Sequence, residues 1–222
     1  MDTKKILSIE KWILAGVAIM VLVGIFLFFF NRDAFMIYIE EDGFVEWLTV
    51  VGLLGGSFAS FGRLGKLWGK RSWWFLFVTA GIAVFLFFAA GEEISWGQRI
   101  FHIHSSEFFI ENNAQGETNL HNLVVDGVKL NKLIFSTLLS IFLVIYLVGF
   151  PILYNRFNGF RNFVDKSGIP IPYWYHSVSM LVLFALTEVI RHGKRAELLE
   201  AGTAFIFFLI ILHPVNKQIF KK

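Results

Sequence analysis

Long apolar runs separated by short polar stretches dominate the chain. Crossing a hydrocarbon core of about 30 Å takes about 20 mostly apolar residues at about 1.5 Å per residue. Six segments approach or exceed that length: Trp12–Phe30, Phe44–Gly62, Ser72 to about Trp96, Leu133–Tyr154, Tyr173–Ile190 and Ala196–His213. The first has no small-residue cleavage site behind it and exceeds a signal-peptide core, so it is expected to be retained. The runs are continuous rather than alternating, which argues against a membrane β-barrel. Composition agrees, with 56% hydrophobic residues, a mean hydropathy of +0.63 and 27 Phe, against about 45–50% apolar residues in soluble domains. The expected fold is all-α: a polytopic membrane helix bundle of about six transmembrane helices. It forms one domain over 1–222 with a polar extracytoplasmic segment at about 97–131.

Lys and Arg favour the cytoplasmic side of short loops. With the N-terminus inside, 13 of the 20 basic residues fall inside: Lys4, Lys5, Lys11, Arg63, Lys66, Lys70, Arg71, Arg156, Arg161, Lys166, Lys217, Lys221 and Lys222. Both termini are therefore expected inside, in a bacterial cytoplasmic membrane. Trp12, Trp68, Trp73, Trp74 and Trp174 form an inner aromatic belt, and Trp47 and Trp96 an outer one. The same placement puts 14 of 17 acids at the outer half, all but Asp2, Glu10 and Asp165. A basic balance that follows topology so closely excludes nucleic acid as the first partner, and membrane lipids take that place. The absence of Cys excludes disulfides and thiolate metal sites.

Helix direction separates the outer acids. Glu46, Glu197 and Glu200 lie near helix N-termini, which favour carboxylates; Glu92, Glu93 and Glu188 lie near C-termini, which oppose them. Counting from Pro214, Glu200 stands roughly 21 Å up the core, below its outer surface. Ionisable groups at such depth face a partner or a polar cavity, so these carboxyls are expected to converge across the bundle. The bland alternative is separate ion pairs, Glu188 with Arg191 or Arg195 and Glu92 or Glu93 with Arg99.

Two stretches carry the densest chemistry, Gly91-Glu92-Glu93-Ile94-Ser95-Trp96-Gly97-Gln98-Arg99 and Asn113 to Asn122, which includes Gln115, Glu117, Asn119 and His121. With the acidic entry Glu41-Asp42-Gly43-Phe44-Val45-Glu46, they resemble a group of uncharacterised bacterial multipass membrane proteins carrying GEExSWGQR and QGETNLHN motifs. That likeness spans the second to the sixth segment and implies a membrane fold but no activity. A weaker likeness is to glutamate-dependent intramembrane proteases of the CAAX-processing type, in which a Glu pair is followed by Arg and later His residues. Glu92 and Glu93 match the pair. Arg99 comes two positions late, and the surroundings of His121 and His192 differ.

His121 follows Glu117 by four and His192 follows Glu188 by four, placing each pair on one face if the local chain is helical. Such pairs suit a divalent metal such as Zn, though the spacing is neither HExxH nor Glu-x-x-His. His102 and His104 read as surface residues, and His176 and His213 as interfacial ones. No nucleophile elbow, phosphate loop or dinucleotide motif is present.

These readings favour a membrane-embedded, hydrolase-like enzyme acting on a lipid or lipid-linked substrate at the outer face. Glu92 or Glu93 would be general base, His121 proton donor or ligand, and Arg99 the anchor for an anionic group. Glu117, His121, Glu188 and His192 are the candidate metal ligands, and Glu46, Glu197, Glu200, Asn119 and Gln115 line the site. The rivals are a proton- or cation-coupled carrier, supported by buried carboxylates, and a non-catalytic scaffold or sensor.

Overall fold

The computed structural model describes residues 8–120, 122–125, 128–129 and 138–221. In chain order the helices are α1 (Ser8–Phe30), α2 (Arg32–Tyr38), α3 (Phe44–Leu67), α4 (Trp73–Glu93), α5 (Gln98–Phe101), α6 (Glu107–Asn112), α7 (Leu139–Val144), α8 (Phe150–Arg156), α9 (Asn158–Ser167), α10 (Trp174–Glu188) and α11 (Arg195–Leu212). A π-helical turn, Ile145–Gly149, joins α7 to α8 in one continuous span. Among the described residues, strand pairing is confined to Val124–Val125 with Val128–Lys129 and a bridge between Asn113 and Leu123.

Among the described residues, four helices are long and apolar enough to cross a membrane: Ile9–Phe30, Phe44–Leu67, Trp73–Glu93 and Leu139–Arg156. Between 17% and 44% of their apolar windows is buried by the protein itself, so most of that apolar surface has hydrocarbon as its natural solvent. The fifth and sixth expected spans fall short of the same measure for different reasons. α10 has 15 residues. α11 has 18 but carries Arg195, Glu197 and Glu200 in its first two turns.

Local chemistry explains where the helices begin. The Asn31 side chain accepts from Ala34 N–H at 3.1 Å and the Ser72 hydroxyl from Phe75 N–H at 3.2 Å, each satisfying a donor that the first turn leaves open. Ser72 starts α4 straight after the turn that closes α3.

α11 is the hub. It packs on α1, α3 and α10, and buries Leu198, Ala201, Ala204, Ile206, Leu209, Ile210 and Ile211. Its neighbour α3 runs parallel to it: Gly52 lies against Ala204, and Arg63 donates to the Leu212 carbonyl at 3.1 Å. A methyl at Gly52 would stand 2.9 Å from Ala204 Cβ, so the small-residue row of α3 serves packing inside the bundle. α4 runs opposite to α3, with Ser57 Oγ donating to Ala83 O at 2.8 Å. α1 and α10 run opposite to α11, as Gly24 meets Leu198 and Leu183 meets Gly202. Ser177 Oγ donates to Leu147 O at 2.6 Å and ties α10 to the π-turn.

This alternation gathers the ends of α1, α4 and α10 with the starts of α3 and α11 at one pole. The opposite pole holds the α3–α4 turn, α9 and the end of α11. There Glu10, 1% exposed, accepts from Tyr175 Oη at 3.0 Å, with His213 Nδ1 at 3.4 Å and His176 Nε2 at 3.9 Å. His176 is thus a wholly buried residue, not an interfacial one.

Candidate functional site

At the first pole the chain makes a cavity of about 70 Å³. Its wall comes from four places. The entry to α3 gives Glu41 and Glu46, and the end of α4 gives Glu92 and Glu93. The loop after α4 gives Arg99, Gln115, Glu117, Asn119 and Asn122, and the start of α11 gives Glu197 and Glu200.

The turn that brings the loop back over α4 is built by the first motif. Ser95, Trp96 and Gly97 all have positive φ, at 46°, 55° and 73°, a run that costs energy in its two non-glycine members. It folds the Trp96 ring onto Gly91, where a methyl would stand 2.8 Å from Cε3. From there Trp96 Nε1 donates to Glu92 Oε1 at 2.8 Å. Leu120 N–H donates to the other Glu92 oxygen. Glu92, 6% exposed, is therefore an anchor that fastens the second motif to α4.

The second motif holds itself together through its amides. Asn113 Nδ2 donates to Asn119 Oδ1 at 2.9 Å, while Asn113 Oδ1 accepts from Gln115 N–H at 2.9 Å and Glu117 N–H at 3.2 Å. Asn119 Nδ2 donates to Ser95 Oγ at 2.8 Å, and Ser95 Oγ in turn donates to Glu117 Oε2. Gln98 Oε1 accepts from Thr118 N–H at 2.8 Å. At the rim, Gln115 Nε2 donates to Glu41 Oε1 at 2.8 Å and Asn122 Nδ2 to Gln115 Oε1 at 2.7 Å.

Arg99 is surrounded by acids. Its nitrogens lie 2.9 Å from Asp42 Oδ2, 3.3 Å from Glu117 Oε1 and 3.8 Å from Glu46 Oε1. Glu46 also accepts from Asp42 N–H. Three carboxylates thus surround the guanidinium that was expected to steady an anionic group. They replace the pairing with Glu92 or Glu93 expected for separate ion pairs.

Glu93, Glu197 and Glu200 are arranged differently. No hydrogen-bond donor reaches their carboxyls among the described residues. Glu93 has Glu46, Glu92 and Glu197 as electrostatic neighbours, and Glu200 has Glu46, Glu93 and Glu197. Like charges this close inside a bundle repel strongly, so the cavity favours whatever brings positive charge.

Of the residues expected at the site, nine converge: Glu46, Glu92, Glu93, Arg99, Gln115, Glu117, Asn119, Glu197 and Glu200. Glu188 and His192 do not line the cavity. Glu188 pairs with Arg195 at 2.7 Å, the bland alternative, while His192 accepts from Lys194 N–H at 3.3 Å and packs edge-on to Phe35. The i,i+4 argument fails there because α10 ends at Glu188. It fails for Glu117 because residues 117–120 are not helical. His121, the expected proton donor, lies outside the described residues. Among the described residues no three acidic or imidazole groups are placed to hold a metal ion. Glu41, Asn122, Asp42 and Ser95 were missed as site members, although all sit within the quoted motifs and their immediate flanks.

Size limits the chemistry. Pockets for drug-sized ligands run to about 300–1,000 Å³, so the space of about 70 Å³ among the acids is the size for water or a small ion. No protein-family model, curated protein or solved structure matches the chain.

Proposed function

We propose that this is a six-crossing protein of a cell membrane, with both termini inside, whose outer-face acidic cavity takes up a small hydrated cation. The observation that carries the reading is the trio Glu93, Glu197 and Glu200, which share one small cavity and receive no hydrogen bond from the described residues. Because no three acidic groups among the described residues are placed to ligate an ion directly, the cation is held through its own water shell, which Mg²⁺ sheds reluctantly. Zn, the metal first expected, prefers nitrogen or sulfur ligands, and none lines the cavity among the described residues. Cation binding of this kind places the protein nearer a cation-coupled carrier than a hydrolase. The bundle's alternating helices support the six crossings, with α10 and α11 sheltered by α1, α3 and the π-turn.

Mn²⁺ provides the test, as a paramagnetic stand-in for a hydrated divalent ion. Titration of the purified protein in nanodiscs, followed by electron paramagnetic resonance, should show one site. Glu93→Gln and Glu200→Gln should each weaken it at least tenfold, while Glu107→Gln, on the exposed face of α6, should leave it unchanged. Absence of Mn²⁺ binding up to millimolar concentration, or equal affinity in all four proteins, would end the reading.

One observation favours a second reading. Glu93 faces a water-sized space with no donor from the described residues holding it, the condition for a carboxylate that activates water. A lipid-linked substrate would then present its scissile group at the cavity mouth, and Glu93→Gln would abolish turnover of such a substrate without affecting Mn²⁺.

A further inference from the structure

The opposite pole carries features that the acidic cavity does not use. α9 follows α8 directly and lies across the end of the bundle. One side packs Phe160 and Val164 against Tyr154, Ile171 and Val215, and Ser167 is fastened to α4 by a 2.9 Å bond from Trp74 Nε1. Beside that packed side Phe163, and just ahead of the helix the extended residue Phe157, remain more than half exposed. Next in rotation come Asn158, Asn162 and Lys166, all exposed. A helix with a packed side, an exposed aromatic flank and a polar back is built to lie in the plane of a membrane interface.

The neighbouring chain supplies charge. Lys66, Lys70 and Arg71 at the α3–α4 turn, Arg156 at the end of α8, and Lys217 and Lys221 after α11 are all exposed. Among the described residues the two acids at this pole are committed. Glu10 is buried, and Asp165 accepts from Tyr154 Oη at 3.0 Å and Asn216 Nδ2 at 3.1 Å. Trp12, Trp68, Trp73, Trp74 and Trp174 are each more than half exposed at the same level, where indole rings settle among headgroups.

We propose that α9 and the α3–α4 turn form a platform for anionic phospholipid headgroups of the leaflet at this pole. The exposed phenylalanines enter the acyl region and the lysines and arginines meet the phosphates. Lipid is the occupant because the aromatic flank needs hydrocarbon as much as the cations need anions. Basic residues near a surface each add a severalfold preference for anionic lipid, which salt screens.

The belt of tryptophans gives a direct readout, since five of the seven lie at this pole. Wild type is reconstituted into vesicles of 80% phosphatidylcholine and 20% phosphatidylglycerol, with dibrominated chains placed on an equal amount of one lipid or the other. Quenching by brominated phosphatidylglycerol should exceed that by brominated phosphatidylcholine at least twofold at low salt, and the two should converge in high salt. The variant Lys66→Gln, Lys70→Gln, Arg156→Gln, Lys166→Gln should lose the difference, whereas Lys194→Gln at the other pole should keep it. Equal quenching by the two lipids in wild type at low salt would overturn the proposal, whatever the folding of the variant.

Discussion

Gly91 and Gly81 lie on the same helix and present opposite surroundings. A methyl at Gly81 meets nothing within 4 Å, whereas one at Gly91 meets the Trp96 ring at 2.8 Å. Gly81→Ala should therefore gain only the helix propensity of alanine, about 0.5–1 kcal/mol. Gly91→Ala receives the same gain but must expel the indole, which costs about 1–3 kcal/mol as overpacking. Displacing the ring also removes its bond to Glu92, worth about 1.5–3 kcal/mol for a charged acceptor. Trp96 is 43% exposed, so the ring can swing outward, and the lower ends of those ranges apply. Net destabilisation is then about 1.5–2 kcal/mol, and the two variants should differ by about 2.5 kcal/mol. For a chain of this length that separates their melting temperatures by about 5–10 °C. Thermal unfolding in one detergent, followed by circular dichroism, measures the gap. Equal melting temperatures would refute the claim that the glycine of the first motif exists to seat Trp96.

Arg99→Gln should cost about 2–4 kcal/mol, because Glu46 and Glu117 are largely buried and lose their cation; Asp42→Asn, at an exposed partner, should cost under about 1 kcal/mol. Glu92→Leu should destabilise by about 2–3 kcal/mol by stranding the Trp96 and Leu120 donors, while Glu93→Leu should be neutral or stabilising, both read by chemical unfolding. Burial raises the Tyr38 hydroxyl above its ordinary pKa near 10, so its contribution is complete below pH 10 and fades as pH climbs through the raised value. Tyr38→Phe, which loses the 3.1 Å bond to Met20 O, should abolish that alkaline fall. Reporter fusions after Phe30, Gly69, Asn113, Asn158, Gly193 and Lys222 should read out, in, out, in, out, in; a cytoplasmic signal at Asn113 would remove the outer-face site.

Depth was the legible signal, because ionisable groups below a membrane surface have few alternatives to one another. It pointed to Glu92, Glu93, Glu188 and Glu200, of which Glu188 pairs with Arg195 instead. What spacing could not reveal was the division of labour among them. Glu92 and Glu93 are adjacent and chemically identical, yet among the described residues one is tied by two donors and the other by none, a difference set by where the loop after Trp96 returns. The partners of Arg99 were hidden for a related reason, since Asp42 and Glu117 come from distant segments. The i,i+4 pairs misled because they assumed helix where α10 had ended and where the second motif forms turns. α10 and α11 were read as spans by hydrophobic length, but that measure ignores the shelter that a neighbouring helix gives to charge.

That shelter has a consequence for how the protein is made. In the six-crossing arrangement, α11 is synthesised after the helices that receive it and is among the least able to enter a bilayer alone, since acidic and basic side chains disfavour release into lipid. Its place is a slot already lined by α1 and α3, with Gly52 and Gly24 receiving Ala204 and Leu198. Insertion of α11 is then an act of docking rather than of partitioning, and the acidic cavity comes into being only at that step. A nascent chain halted before Arg195 would hold Glu46 and Glu93 without the carboxylates that complete the cavity, and would expose the α1 and α3 surfaces that quality-control proteases recognise as an unfinished bundle.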